Sequence, residues 1–137
     1  FFIIVMTIVI TIFEERFYME IKLFDSELKV MEVLWERGES KAGELVKILK
    51  EETGWNRNTT YTVIKKLVSK GAIERIEPNF VCKALISKEE VQKQETETLI
   101  NKMFGGSSEK FLSAFINKEN LSSDEITKLK QIVEKLK

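Results

Sequence analysis

The length and composition of the chain indicate a small globular protein. Its 137 residues can form one ordinary domain, or a small domain with an oligomerisation arm, and a content of 43% hydrophobic and 32% charged residues excludes a disordered or fibrous chain. The 22 basic and 22 acidic residues cancel, so any nucleic-acid surface must arise from the arrangement of charge rather than from its total.

The residue types that most often carry catalysis and metal binding are scarce. The chain has no histidine, the commonest general base and metal ligand, and its single cysteine, Cys82, excludes an internal disulfide framework. A zinc or copper site built from one thiol and carboxylates would be unusual. The sequence therefore predicts a protein that is not an enzyme, that needs no cofactor or metal, and that resides in the reducing cytoplasm.

The first segment of the chain differs from the rest. Residues 1–13 are uncharged and apolar apart from two threonines, a run shorter than the roughly 20 residues of a membrane-spanning helix. Met19 stands just before the first regular pattern, and we expect it to be the native start. Residues 1–18 are then a non-native or disordered extension. A strand or helix packed on a partner and a membrane anchor are the alternatives.

Hydrophobic periodicity predicts two helices after this segment. Asp25 or Ser26 can cap the first helix, and Gly38 ends it. Ser40 can cap the second, which ends near Gly54. The predicted buried stripe of the first helix comprises Leu28, Met31, Val33, Leu34 and Trp35.

A third helix and a β-hairpin follow. Asn56 can cap the helix, Gly71 ends it, and apolar residues at spacings of three and four predict its inner face as Thr60, Val63, Ile64 and Leu67. Residues 73–77 and 80–86 have strand character and are joined by a Pro-Asn turn. Three helices and a hairpin in this order predict a mainly α fold with a small β-hairpin, a winged helix-turn-helix domain over residues 19–86. Within the hairpin, Cys82 is expected to be a small buried apolar residue rather than a redox switch.

The outward face of the third helix is polar and basic and contains no acidic residue. Short amide and hydroxyl side chains can hydrogen-bond base edges, and basic side chains can neutralise phosphates. Residues 55–83 carry six basic and two acidic residues, which gives a neutral protein one basic face. A solvated helix surface and a winged-helix module that binds protein are the alternatives. The predicted DNA contacts are Arg57, Asn58, Thr59, Thr62, Lys65 and Lys66 on the helix, and Arg75 and Asn79 on the hairpin.

The last 51 residues, 87–137, are predicted to form an α-helical dimerisation domain. Capping-box patterns at residues 87–90 and 122–125 open two helices, and a shorter helix lies between them after a Gly-Gly-Ser-Ser break. These helices carry more large apolar side chains than they could bury alone, so we expect two copies to share one core. Packing against the N-terminal domain is the alternative. The predicted interface comprises Leu99, Ile100, Met103, Phe104, Phe111, Phe115, Ile126, Leu129, Ile132, Val133 and Leu136.

Several stretches of the chain, from about Leu23 to the C terminus, resemble one known family. They contain Asp25, Ser26, Glu27, Leu28, Val30, Met31, Val33, Leu34 and Trp35, then Trp55, Asn56, Arg57, Asn58, Thr59, Thr62, Val63, Lys66, Leu67, Val68, Lys70 and Gly71, and finally Leu85, Ile86 and Ser87. With these spacings the chain resembles the penicillinase-repressor family of bacterial winged-helix regulators, which includes methicillin-resistance and copper-responsive repressors.

The resemblance implies a homodimer that binds a palindromic operator in double-stranded DNA and blocks transcription of nearby genes. It also implies that Tyr61 joins Asn58, Thr59 and Thr62 as a DNA contact. An upstream sensor protein, of unknown identity, is a possible further partner.

Three departures from the family pattern limit these expectations. Asn56, Arg57 and Asn58 replace a frequent Ser-Pro-Lys, which leaves the operator sequence open, and the terminal cysteine cluster of the copper-responsive branch is missing. In the antibiotic-responsive branch a sensor protease cuts an Asn-Phe bond; the matching pair here is Thr98 and Leu99, so release by that cleavage is not supported.

Overall fold

The computed structural model describes residues 1–116 and 121–136, with the side chains of residues 12–20 excepted. The chain divides into two compact units, Phe1–Gln92 and Lys93–Lys137. In chain order the elements are α1 (Phe2–Glu20), α2 (Asp25–Arg37), β1 (Ser40–Lys41), α3 (Ala42–Thr53), α4 (Arg57–Lys70), β2 (Ile73–Ile76), β3 (Val81–Ala84), α5 (Lys88–Met103), α6 (Ser108–Phe115) and α7 (Ser123–Lys135).

Helix α2 begins one or two residues earlier than predicted, since either Asp25 or Ser26 was expected to be its cap. Its N-cap is Phe24, whose backbone N–H donates to Oε1 of Glu27 at 2.9 Å, so Asp25 and Ser26 are not the cap. A carboxylate at the third helical position can satisfy that amide when the cap residue itself has no polar side chain. Gly38 ends the helix, as predicted, with a φ of 83° that favours glycine.

Ser40 was predicted to cap the second helix, and the structure corrects this. Ser40 and Lys41 form the short strand β1, which pairs antiparallel with Cys82 and Val81, and Lys41 is the N-cap of α3. The Ser40 hydroxyl donates to the Gly38 carbonyl at 3.0 Å and therefore does not point into the first turn of α3. Pairing with a strand some 40 residues away is a contact that helical periodicity cannot reveal.

The β-hairpin of β2 and β3, called the wing below, is confirmed with shorter strands than predicted. The sheet order is β1-β3-β2, all antiparallel, and Arg75 lies opposite Cys82. The peptide bond between Glu77 and Pro78 in the turn is cis. Phe80, the last residue before β3, has a φ of 48°.

The first unit has one hydrophobic core under α2, α3, α4 and the sheet. The predicted stripe of α4 is buried in it, and Met31, Val33 and Leu34 of α2 are buried as expected, whereas Leu28 and Trp35 are half-buried. The indole N–H of Trp35 donates to the Ile86 carbonyl at 2.9 Å, which attaches the end of the wing to α2. The order of three helices and a wing around one core is a winged helix-turn-helix, and the predicted fold class is confirmed.

The N-terminal segment is helical and its side chains up to residue 11 are exposed. None of the helices described is both long and apolar enough to cross a membrane. The expectation that residues 1–18 are an extension to a protein starting at Met19 stays a prediction.

Three helices, α5, α6 and α7, follow the wing in the chain and begin and end where the sequence indicates. The Ser122 hydroxyl accepts from the Glu125 N–H at 3.2 Å, which confirms the second capping box, and Ser107 caps α6 in the same way. The ring of Phe111 lies between those of Phe104 and Phe115, with centroids 5.5 and 6.1 Å away. Among the described residues between 93 and 136, none is buried.

Candidate nucleic-acid interface

The N-terminal end of α4 is held by its cap. Oδ1 of Asn56 accepts from the Thr59 backbone N–H at 2.8 Å and from the Thr59 hydroxyl at 3.0 Å. This is the predicted cap, and it satisfies one of the amides that a first helical turn leaves unpaired. Because its inner face is buried, the rotation of α4 about its own axis is set by the core.

The other end of α4 is held by a buried ion pair that the sequence analysis missed. Nζ of Lys70 donates to Oε1 of Glu27 at 2.6 Å and to the Lys22 carbonyl at 2.7 Å, and it lies 4.5 Å from the centre of the Phe24 ring. Glu27 is only 1% exposed, and within the described chain its Oε2 has no hydrogen-bond partner. These contacts attach the last turn of α4 to the first turn of α2.

The outward face of α4 is exposed and free of acidic residues. All the predicted helix contacts except Tyr61 are exposed, as is Ser69. The exposed predicted contacts are Arg57, Asn58, Thr59, Thr62, Lys65 and Lys66.

Two hydroxyl groups on this face are already engaged within the helix. The Thr59 hydroxyl donates to Asn56 Oδ1, and the Thr62 hydroxyl donates to the Asn58 carbonyl at 2.8 Å. A hydroxyl has one proton and two lone pairs, so in these rotamers both threonines offer only acceptors. In the major groove, acceptors match the exocyclic amino groups of adenine and cytosine.

Tyr61 occupies a different position from its neighbours. It is half-buried against the core, and its ring meets that of Phe80 edge to face, with centroids 5.7 Å apart and planes at 64°. The guanidinium of Arg57 lies 5.1 Å from the centre of the Tyr61 ring, and its Nη2 donates to the phenol oxygen at 3.4 Å. Tyr61 thus joins α4 to the wing, a role that the sequence analysis did not foresee.

The two predicted DNA contacts on the hairpin are Arg75 in β2 and Asn79 in the turn. The guanidinium of Arg75 lies 3.8 Å from the centre of the Phe80 ring, and its Nε donates to Oε1 of Glu77. Asn79 is exposed in the turn. Phe80, which was not among the predicted site residues, lies between Arg75 and Tyr61; an aromatic residue directly after a Pro-Asn turn was the available signal.

The charge of the basic face is smaller than the sequence count indicates. Of its six basic residues, Lys70 faces Glu27 and Arg75 faces Glu77. The remaining four, Arg57, Lys65, Lys66 and Lys83, form no ion pair with any residue described. Three of these four lie on α4, so the uncompensated positive charge is concentrated on that helix.

Cys82, in strand β3 of the wing, is fully buried, which confirms the expectation of a small buried apolar residue. Burial raises the pKa of its thiol to about 11, and the nearby Arg75 charge opposes that rise only in part. The thiol is therefore neutral at physiological pH and shielded from oxidants. Across the described residues, no group of three or more Cys, Asp and Glu side chains is placed to hold a metal ion.

The chain matches one protein family over most of its length. The family model described as the penicillinase repressor matches residues 23–135. The methicillin resistance regulatory protein MecI of Staphylococcus aureus is 28% identical over 116 residues, covering 83% of this chain and 94% of that protein. The penicillinase repressor of Bacillus licheniformis is 27% identical over 118 residues, covering 85% and 92%. The solution structure of the DNA binding domain of the repressor BlaI covers 50% of this chain and 87% of that one, at 28% identity and a TM-score of 0.48. Because the family model spans most of the chain, from the start of α2 to the end of α7, this protein belongs to the penicillinase repressor family.

Proposed function

We propose that this protein represses transcription in the cytoplasm by binding operator DNA as a homodimer, with α4 of each protomer in the major groove. The observation that carries the proposal is the exposed face of α4, which is polar and basic throughout and held at both ends. Helices of this kind enter the major groove with their outward face towards the base edges. Membership of the penicillinase repressor family, which includes a relative in Bacillus licheniformis that is itself named a repressor, supports the same function.

The residues of the interface divide into two roles. Asn58 and Thr62 are short, polar and exposed, which suits contacts to base edges, and asparagine pairs well with adenine. Lys65 on the outward face, Lys66 on its flank and Arg57 at the helix start are exposed and long enough to reach phosphates. Arg75 and Asn79 on the wing then contact the neighbouring backbone, and Thr59 contributes to both the cap and the interface.

The second unit supports pairing of two chains. None of its described residues is buried, although many of them are large and apolar. Met103, Phe115 and Leu136, for example, are 65%, 57% and 81% exposed. Covering a large apolar side chain stabilises an assembly by about 1.5–3 kcal/mol, so two copies that share these residues can offset the cost of association. A groove of about 380 Å³ lined by Ile116, Ile126, Leu129 and Val133 could receive a side chain of the second copy.

Pairing of two chains through the second unit would also affect DNA recognition. Two copies of α4 held by one dimer read two half-sites related by a twofold axis, about one or two turns of DNA apart. A single protomer makes half of these contacts and therefore binds far more weakly. The equilibrium between one and two chains is the step on which an inducing signal, relayed by a sensor protein, would act.

The proposal is tested by fluorescence anisotropy with the full chain and DNA from the region upstream of its own gene, beside scrambled DNA. We expect nanomolar binding of one fragment that persists at moderate salt. Asn58→Ala and Thr62→Ala should each weaken the free energy of binding to that fragment by about 1–3 kcal/mol and relax base preference. Lys66→Ala should weaken all sequences alike and reduce the salt dependence, whereas Lys128→Ala, an exposed lysine of α7, should do neither.

Equal and weak binding to both fragments, abolished by added salt, would contradict sequence-specific repression. A winged-helix module that binds protein would then be the better description. Altered base preference with Lys66→Ala, and none with Asn58→Ala, would reverse the assigned roles.

A further inference from the structure

Four side chains form a continuous series of ring and guanidinium contacts, called the stack below although its two rings meet edge to face, that runs from α4 to the wing. In order these are Arg57, Tyr61, Phe80 and Arg75, with successive separations of 5.1, 5.7 and 3.8 Å between guanidinium carbon and ring centre or between ring centres. Each guanidinium lies within the roughly 6 Å at which cation–π attraction acts. The two rings, in edge contact with each other, therefore have one arginine at each end.

Phe80, the third residue of this stack, has an unusual backbone conformation. Phe80 has a φ of 48°, which is uncommon for a bulky residue, and its carbonyl accepts from the Ala42 N–H at 3.0 Å at the start of α3. Its side chain is half-buried against the core. A left-handed conformation at such a residue persists only where its surroundings hold it, and residues of this kind concentrate at binding sites.

One arginine of the stack already binds an oxyanion. A guanidinium held beside a ring can still donate its N–H groups outward to an acceptor. Arg75 uses its Nε in this way towards a carboxylate oxygen of Glu77. Phosphate oxygens also accept hydrogen bonds from arginine, so the N–H group that Arg75 donates to Glu77 is a donor that suits a DNA phosphate.

We propose that Phe80 is a positioning residue for DNA binding: with Tyr61 it holds Arg57 and Arg75 as two preformed phosphate contacts, one on α4 and one on the wing. A long side chain that is held in its binding rotamer loses less conformational freedom when it meets its ligand. Glu77 competes with phosphate for Arg75 in the free protein. This inference rests on the proposed function and deepens it.

If the stack holds the two arginines, Tyr61 and Phe80 affect the affinity for DNA although neither contacts a base. Phe80→Leu removes the ring beneath Arg75 and the edge contact to Tyr61 while keeping an apolar side chain. We expect it to lower operator affinity by about tenfold. The slope of log affinity against log salt should fall by about 0.9 for each phosphate that the variant no longer neutralises. Base preference should not change, and Phe80→Tyr, which keeps the ring, should restore both affinity and slope.

Two further variants keep the inference testable if Phe80→Leu folds poorly. Arg75→Lys retains the charge and removes the flat group, and it should weaken binding in the wild-type background and have little effect beside Phe80→Leu. Glu77→Gln should raise affinity for all DNA sequences alike, because it frees Arg75.

The experiment is anisotropy with the full chain, the operator fragment and scrambled DNA across a salt series, with thermal unfolding of each variant. Unchanged affinity and slope in both Phe80→Leu and Arg75→Lys, with wild-type protein still specific for the operator, would overturn this inference and leave the proposed function intact. Wild-type protein that fails to distinguish the two fragments would instead overturn the proposed function.

Discussion

The buried ion pair between Glu27 and Lys70 gives the sharpest stability prediction. Lys70→Met removes the ammonium and leaves the carboxylate of Glu27, 1% exposed, with only the Phe24 amide as a partner. One of its two oxygens already lacks a partner among the described residues. The substitution therefore leaves a buried carboxylate without a cationic partner.

The expected loss of folding stability depends on how deeply the two partners of the ion pair are buried. Removing one partner of a fully buried pair costs about 3–5 kcal/mol. Water reaches the Lys70 side chain, which is 29% exposed, so we expect Lys70→Met to lower the free energy of unfolding by about 2–3 kcal/mol. Glu27→Gln keeps the shape and the acceptor for the Phe24 amide and should cost about 1 kcal/mol. The double variant should cost about 1–2 kcal/mol, less than the two single changes together, because no uncompensated charge remains.

The assay is urea unfolding at one fixed protomer concentration, because the proposed pairing of two chains would make stability depend on concentration. Lys66→Met is the matched control: it is an exposed lysine of the same helix and should change stability by less than about 0.5 kcal/mol. If Lys70→Met is no more destabilising than this control, or if the double variant shows the full sum of the single effects, the account of a buried pair that attaches α4 to α2 is wrong.

Three further predictions concern other parts of the chain. Because burial raises the pKa of Cys82 to about 11, iodoacetamide at about pH 8 should modify the folded protein far more slowly than the urea-unfolded chain. The folded pKa lies above the unfolded one, so the stability from this thiol is present below about pH 9 and is lost as the pH rises towards 11; equal alkylation rates would contradict a buried thiol. Asn56→Ala should cost about 1 kcal/mol in thermal unfolding through loss of the α4 cap, and no change would mean that the cap is dispensable. Leu129→Asp should give monomers in sedimentation at concentrations where wild-type protein pairs, and a persistent dimer would exclude α7 from the interface.

Local patterns were sufficient to predict α4 and its exposed face. Asn56 and Gly71 mark its ends, and the spacing of Val63, Ile64 and Leu67 orients it, because caps and helical periodicity are properties of neighbouring residues. The residues of α4 that do not lie on this buried stripe are then predicted to form the exposed polar face.

Contacts between distant residues could not be predicted in this way. Glu27 lies at helical spacing from Val30 and Met31, so its burial was open to prediction, but its partner Lys70 is 43 residues away. The pairing of β1 with β3 and the contact of Phe80 with Tyr61 also depend on how elements pack. One sequence carries no direct record of such pairs.

Hydroxyl-radical footprinting of the full chain on DNA from the region upstream of its own gene tests the central claim most directly. A dimer that reads two half-sites with α4 should protect two patches of equal strength, related by a twofold axis and centred about one or two helical turns apart. Protection of a single patch, or uniform protection without sequence boundaries, would contradict a homodimeric, sequence-specific repressor.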